Sequence, residues 1–243
     1  MKKPTYHPLG DQALLVRYES RIDPQINERV RLLSEAVEKS GFNWLQDIIF
    51  TFQSLLIQFN PQKIKYQKVL NTVKSIEAGL LISPSYFDIS YRTYEIFTVY
   101  GGSFGPDLER VAKLTNTAPD EVICKFSSTI FTVYFLGFLG AQPYLGGLPE
   151  YLWVPRLDTP RSKIPAGSVG IGGLQAGVVT IDQPSGFNFI GWTPLSIYTP
   201  ESSPPSRLNA GDRLIFREIK ANRADFYKGK KPESMVTEED RLS

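Results

Sequence analysis

Arg156, Arg161 and Gln175 stand close together in the sequence, around the run Pro165-Ala-Gly-Ser-Val-Gly-Ile-Gly-Gly-Leu-Gln-Ala-Gly177. Guanidinium groups offer paired donors that match a carboxylate or a phosphate. Glycine lets backbone N–H groups approach a ligand closely, and Gly167, Gly170, Gly172 and Gly173 are spaced to form an anion cradle from main-chain donors. The plainer alternative is tight barrel corners with two ordinary surface arginines, and spacing alone favours it slightly. Lys125 is a further candidate, yet a Lys at a helix C-terminus is adequately explained by the helix dipole. Cys124 beside it reads as a small core residue rather than a nucleophile.

Scarce residue types exclude other chemistries. The 243 residues include one His, His7, and one Cys. No disulfide can form within the chain and no Cys/His zinc cluster is possible, so no metal site is expected. A Ser-His-Asp triad would have to use His7, between Pro4 and Pro8, where a surface role is the simpler reading. Twenty-seven basic against 25 acidic side chains give a net charge of +2, which argues against a phosphate-tracking nucleic-acid surface. Residues 126–149 carry no charge, but Ser127, Ser128, Gln142, Pro143 and Gly146-Gly147 interrupt them, so they read as a strand and loop and not as a membrane span. With no signal peptide after Met1-Lys2-Lys3-Pro4, a cytoplasmic location is expected.

Two nucleotide motifs are approached and missed. Gly172-Gly-Leu-Gln-Ala-Gly177 has the outer glycines of a P-loop, but Val178-Val179 stand where Lys-Ser/Thr belongs. Gly170-Ile-Gly172 opens a dinucleotide fingerprint, but Gln175 takes the third glycine position. Any contact with ATP is therefore expected without a standard motif.

The elements that must position these residues follow from periodicity. Residues 13–18 read as a strand, and Asp23-Pro24 as the start of a helix with Ile26, Val30, Leu33 and Val37 on one face. Residues 45–52 and 54–59 read as paired strands. Asn60-Pro61 suggests a second helix ending at Gly79, and residues 86–91 a fourth strand. Strand, helix, strand, strand, helix, strand is the split βαβ, ferredoxin-like order. After a Gly101-Gly102 and Gly105-Pro106 boundary come helical stretches near 106–114 and 118–126, the second opened by a Thr117-Ala-Pro-Asp120 capping box. Residues 137–215 then hold 12 of the 19 Gly and 10 of the 18 Pro. Short strands expected at 129–136, 168–172, 177–181, 187–192, 195–198 and 212–216 make a small barrel. The fold class is thus α+β, with a ferredoxin-like domain over 1–92, a small barrel over 93–220 and a charged, solvated tail over 221–243, helical in part.

At several stretches the chain resembles a known family. They are Gly10-Asp-Gln-Ala-Leu-Leu-Val16, Ile22-Asp-Pro24, Ser54-Leu-Leu-Ile57, Gly101-Gly-Ser-Phe-Gly-Pro-Asp-Leu108, Tyr144-Leu-Gly-Gly-Leu-Pro149, Pro165-Ala-Gly-Ser-Val-Gly170 and Thr193-Pro194. The chain resembles the family of B-type 5-oxoprolinase subunits, which also takes in kinase A inhibitors and allophanate hydrolase subunit 1 proteins. The resemblance implies a cyclophilin-like β-barrel as the second domain. It implies partner subunits of the A and C type, and hydrolysis of 5-oxoproline to glutamate coupled to ATP cleavage in the complex. It places Lys125, Arg161 and Gln175 as catalytic candidates. Tyr144, Gly146, Gly147, Arg156, Pro165, Gly167, Ser168, Val169 and Gly170 become candidates for binding the small-molecule substrate. An enzyme of this type needs donors for a carboxylate and for developing oxyanion charge.

The chain departs from the family where a site would be expected. Gly140-Ala141-Gln142 replace Pro-Gly-Phe, Lys125 stands for His, Ala176 for Thr, and Gly191-Trp-Thr-Pro194 lacks an Arg. A lysine replaces the lost proton carrier only if burial lowers its pKa. Two alternatives to the enzyme subunit follow: a regulator that docks a sensor histidine kinase, and a subunit of an allophanate or urea-type amide hydrolase.

Overall fold

The computed structural model describes residues 3–82, 91–137 and 139–235. Contacts divide the chain into two compact units, Met1–Ser90 and Tyr91–Ser243.

The first unit follows its sequence signals closely. Strands β1 (Thr5–Pro8) and β2 (Ala13–Arg17) precede helix α1 (Pro24–Lys39). Asp23 caps α1 by accepting from the Gln25 and Ile26 amides, and Pro24 takes the first position, where its missing N–H costs nothing. Strands β3 (Leu45–Phe50) and β4 (Ser54–Phe59) form the expected hairpin, followed by α2 (Tyr66–Ile82). Asn60-Pro61 does not start that helix. The Asn60 side chain accepts from the Gln62 amide and its carbonyl from those of Lys63 and Ile64, so this signal builds a turn. Helix α2 begins later and runs past Gly79, whose missing side chain faces open space.

The sheet order is β1-β2-β4-β3, antiparallel throughout. The strand expected at 86–91 falls almost wholly outside the described residues. The position beside β2, where a split βαβ unit puts its last strand, is held by β1, so the ferredoxin-like arrangement is not established. One sheet face packs Leu14, Val16, Leu55, Ile57 and Phe59 against Ile26, Val30, Leu33, Val37, Val69 and Val73 of the helices. Arg29 of α1 and Glu77 of α2 form an ion pair between the two helices.

The second unit is a closed barrel. Strands β5 (Thr93–Tyr100), β6 (Ile130–Leu136), β7 (Pro143–Gly146), β9 (Ser168–Gly172), β10 (Gln175–Val178), β12 (Asn188–Trp192) and β13 (Arg213–Glu218) pair in the ring β5-β12-β9-β10-β7-β6-β13. Six pairings are antiparallel. β13 and β5 run parallel over six registered residues and close the ring. Strands β8 (Arg161–Ile164) and β11 (Gln183–Ser185) form a separate two-stranded ribbon. Helices α3 (Leu108–Thr115) and α4 (Pro119–Ser127) bury Val111, Ala112, Val122 and Phe126 in the barrel core. Phe126, Phe131 and Phe216 meet there with ring centroids 4.8 to 5.5 Å apart.

Some expectations fail for local reasons. Thr117 does not cap α4; its hydroxyl pairs with that of Thr115, and Ala118 takes the cap position with no side-chain bond. Residues 195–198 form no strand, only an isolated bridge from Tyr198 to Ser206. The charged tail is not simply solvated. Helix α5 (Ala224–Tyr227) stacks Tyr227 on Phe97 at 4.3 Å, and β14 (Ser234–Met235) pairs with β5. The uncharged stretch from residue 126 folds as the end of α4, β6 and β7, and among the described residues no helix is long and apolar enough to cross a membrane.

Candidate functional site

The glycine-rich run supplies strands and a turn. Gly173, at φ +64°, turns β9 into β10, so Gly172–Gly177 is a hairpin leading into a strand. A phosphate-binding P-loop must lead into a helix, and this near-motif leads into a strand, so it lacks the P-loop geometry. The expected main-chain cradle is not free either. The Gly167 amide donates to Val179, that of Ser168 to Pro165 and that of Gly173 to Val154. Val169 and Gly170 lie within β9, between β10 and β12. These glycines are required by packing instead. A Cβ at Gly170 would come within 2.7 Å of the Asn188 carbonyl. One at Gly167, already at φ +87°, would come within 2.3 Å of the Thr193 carbonyl.

The Pro165–Ser168 turn does line a cavity. About 270 Å³ in volume, it is walled by Phe104, Pro106, Ile164, Pro165, Phe189 and Trp192, with the hydroxyl-bearing Ser103 and Ser168. Trp192 fixes the turn by donating from Nε1 to the Ala166 carbonyl at 2.8 Å. The Ala166 amide donates to Asp182, and this bond with the nearby Lys163 holds the Asp182 carboxyl below the usual range. A second hollow of about 260 Å³ lies across the same turn, against Gly167, Thr180, Thr193 and Pro194.

Arg161 sits at the start of β8 and is occupied. Its Nη1 and Nη2 donate to the two oxygens of Asp107 at 2.8 and 2.7 Å, and the Phe189 amide donates to the same carboxylate. Asp107 is buried beside α3, so the pair stitches the ribbon, the helix start and β12 together. The hydrogen bonds that Arg161 donates to Asp107 push its pKa up. In the sequence Asp107 stands within the Gly101–Leu108 stretch that carries the family resemblance, but nothing there pairs it with Arg161.

Arg156 and Gln175, expected together, do meet. Arg156 donates from Nη2 to Gln175 Oε1 at 3.3 Å, with its guanidinium 4.9 Å from the centre of the Phe187 ring. Lys125 has other partners: Glu121 at 2.7 Å and the Tyr151 ring at 4.9 Å. Its side chain is 28% exposed and ion-paired, which is not the lone buried ammonium that a lysine base requires. Cys124 is exposed, contrary to the core position expected.

The Tyr144–Gly147 block is packing chemistry. Tyr144 stacks on Phe135 at 4.5 Å. A Cβ at Gly146 would lie 2.0 Å from the buried Tyr134 ring, and Gly147 adopts φ +95°. Gln142, in the segment that departs from the family, hydrogen-bonds Gln183. Asn188 was missed from the sequence altogether. It is fully buried, accepts from Arg110 and donates to the Pro155 and Ile171 carbonyls.

Comparisons with known proteins agree with this architecture. The family model described as carboxyltransferase domain, subdomain C and D, matches residues 4–208. A B-type 5-oxoprolinase subunit of Bacillus subtilis is 36% identical over 228 residues, covering 90% of this chain and 95% of that one. The crystal structure of a conserved uncharacterized protein of Pyrococcus horikoshii is 39% identical, with a TM-score of 0.53 over 90% of this chain and 99% of that one. A urea amidolyase of Lachancea kluyveri is 25% identical over 93% of this chain but only 14% of its own length. The match runs through both units and over almost the whole length of the Bacillus relative, and the chain therefore belongs to the B-type 5-oxoprolinase subunit family of carboxyltransferase-domain proteins.

Proposed function

We propose that this chain is one subunit of an ATP-dependent 5-oxoprolinase, hydrolysing 5-oxo-L-proline to L-glutamate together with partner subunits of the A and C type. The observation that carries the reading is its similarity to a B-type 5-oxoprolinase subunit over 90% of this chain and 95% of that one. Lactam hydrolysis breaks the ring C–N bond and adds water across it. The amide is a poor electrophile, and phosphorylating its oxygen supplies a leaving group. ATP provides that phosphoryl group in the complex.

The chain's own residues divide the work unevenly. The Ser103–Ser168 cavity is apolar with two hydroxyls, and among the described residues none lining it is charged. A substrate carboxylate bound there needs a cation from elsewhere, which supports a site completed by a partner subunit. Arg161 acts as a positioning residue through Asp107. Lys125, paired with Glu121, serves the helix surface and not proton transfer.

The test is assembly and substrate choice. The full chain, co-expressed with A- and C-type subunits, should co-purify with them and release ADP in response to 5-oxoproline. The urea amidolyase relative makes urea and allophanate the comparison substrates. ADP release driven by these and not by 5-oxoproline would replace the reading, and a chain that never associates with the partners would end it.

A further inference from the structure

The segment carrying α5 and β14 straps across β5, beyond the residues that the family model matches. The Gly229 amide donates to the Pro194 carbonyl and the Ser196 amide to that of Lys230, and β14 then pairs with the start of β5. One stretch of β5 is left open between them. The Arg92 and Thr98 carbonyls accept from the Arg213 and Ile219 amides, so the even-numbered residues of β5 turn their backbone polar groups toward β13. The odd-numbered ones face the other way. There Val99 meets Trp192 of β12, and Thr93 meets Met235 of β14. Past Trp192 the same register brings Pro194 opposite Phe97. Proline has no N–H to give, and the Pro194 carbonyl is already taken by Gly229. The N–H and C=O of Phe97 therefore face the gap, and among the described residues nothing hydrogen-bonds them there. Such groups need a partner.

The gap opens on a cavity of about 480 Å³, within the usual range for small-molecule sites. Its lining brings three chemistries together. Phe97, Tyr227 and Phe226 supply aromatic rings. Tyr227 stacks on Phe97 at 4.3 Å, and Phe226 is 59% exposed, more than any other large hydrophobic side chain described. Lys230 and Lys231 supply positive charge. The Lys230 ammonium sits 3.6 Å from the centre of the Phe226 ring and 5.9 Å from that of Tyr227, and among the described residues no carboxylate pairs with it. Lys231 is steadied by the Ser202 hydroxyl. Of the two acidic side chains in the lining, Glu95 is held by Arg217, and Glu233 is exposed. From this geometry we infer that the cavity under the strap binds an adenine nucleotide. An adenine edge carries an acceptor beside a donor, the complement of the Phe97 N–H and C=O. The base packs on the aromatic side chains, and the phosphate meets Lys230 and Lys231. Glu233 is the group able to accept from ribose hydroxyls. The inference goes beyond the oxoprolinase reading and requires neither partner nor turnover, so the two can fail separately.

The test is calorimetric titration of the full-length chain with AMP and, separately, with adenosine and with inorganic tripolyphosphate. AMP is expected to bind more tightly than either. Lys230→Gln and Phe226→Ala are each expected to weaken AMP binding roughly tenfold, the scale of one charge-assisted hydrogen bond or one base stack. Lys113→Gln, exposed on α3 and outside the cavity lining, serves as the control and should bind AMP as the unaltered chain does. No saturable binding of AMP overturns the inference. So does tripolyphosphate binding as tightly as AMP, which leaves charge alone, or adenosine binding as tightly, which leaves the lysines without a role. Unchanged affinity in both variants, or an equal loss in the Lys113→Gln control, overturns it as well.

Discussion

At the scale of single residues, the cationic groups are defined by what they already hold. Arg161 is committed to a buried carboxylate, so Asp107→Asn should act first on stability. The expected cost is about 1.5 kcal/mol, the low end for a charged hydrogen bond because 37% of the Arg161 side chain is exposed. Urea unfolding measures it. Lys125 holds the Glu121 carboxyl below its ordinary value of 4.5 by hydrogen bond and charge. A lowered carboxyl pKa contributes stability above the ordinary value and loses it as pH falls through the lowered one. Lys125→Met should return Glu121 toward 4.5, read by NMR titration of that carboxyl; an unmoved value would contradict the pairing. Gly167→Ala meets both a positive φ and the Thr193 carbonyl, and should lower stability by about 1–3 kcal/mol. Arg156 and Gln175 were legible because both lie in a run rich in donors and turns. Asn188 and the partners of Asp107 were not, because a buried polar residue is marked by contacts distant in sequence, and no local pattern carries those.

Secondary-structure elements were readable where one face is buried and the chain signals its ends. Helix α1 and strands β2, β4, β9, β12 and β13 have alternating or helical apolar patterns and clear breakers. β7 and β8 were missed: Pro143-Tyr-Leu-Gly146 reads as a turn until Gly146 is seen to make room for Tyr134. β5 is passed over because the pattern suggests a strand at 86–91 and the Gly101-Gly102 pair reads as a boundary loop. The start of α2 was misplaced because an Asn-Pro pair serves turns and helix caps alike. The helix layer over the barrel is anchored by Phe126, fully buried between Phe131 and Phe216. Phe126→Ala should cost about 3–5 kcal/mol through lost burial and a residual cavity. Denaturant unfolding followed by far-UV circular dichroism checks it, and a loss below about 1 kcal/mol would mean that α4 is not part of the core.

At the scale of the whole chain, two units each carry a separate hydrophobic core, and the family match from residue 4 to residue 208 runs through both. The barrel is closed by Thr93–Thr98 against Arg213–Glu218, a pairing too distant in sequence for any window of residues to show. Composition and turn spacing could indicate a barrel; only the registered parallel pair shows that it is sealed. The cavity at Ser103 and Ser168 lacks a charged wall among the described residues, and Arg161 is committed to Asp107. An uncharged cavity of this kind fits a chain that is one part of a larger enzyme. The measurement that bears on that role most directly is glutamate release from 5-oxo-L-proline and ATP by the reconstituted A- and C-type subunits, with and without this chain. Release should require all three proteins and disappear when this one is withheld. Release at the same rate without it, or none from the fully assembled complex, would contradict that role.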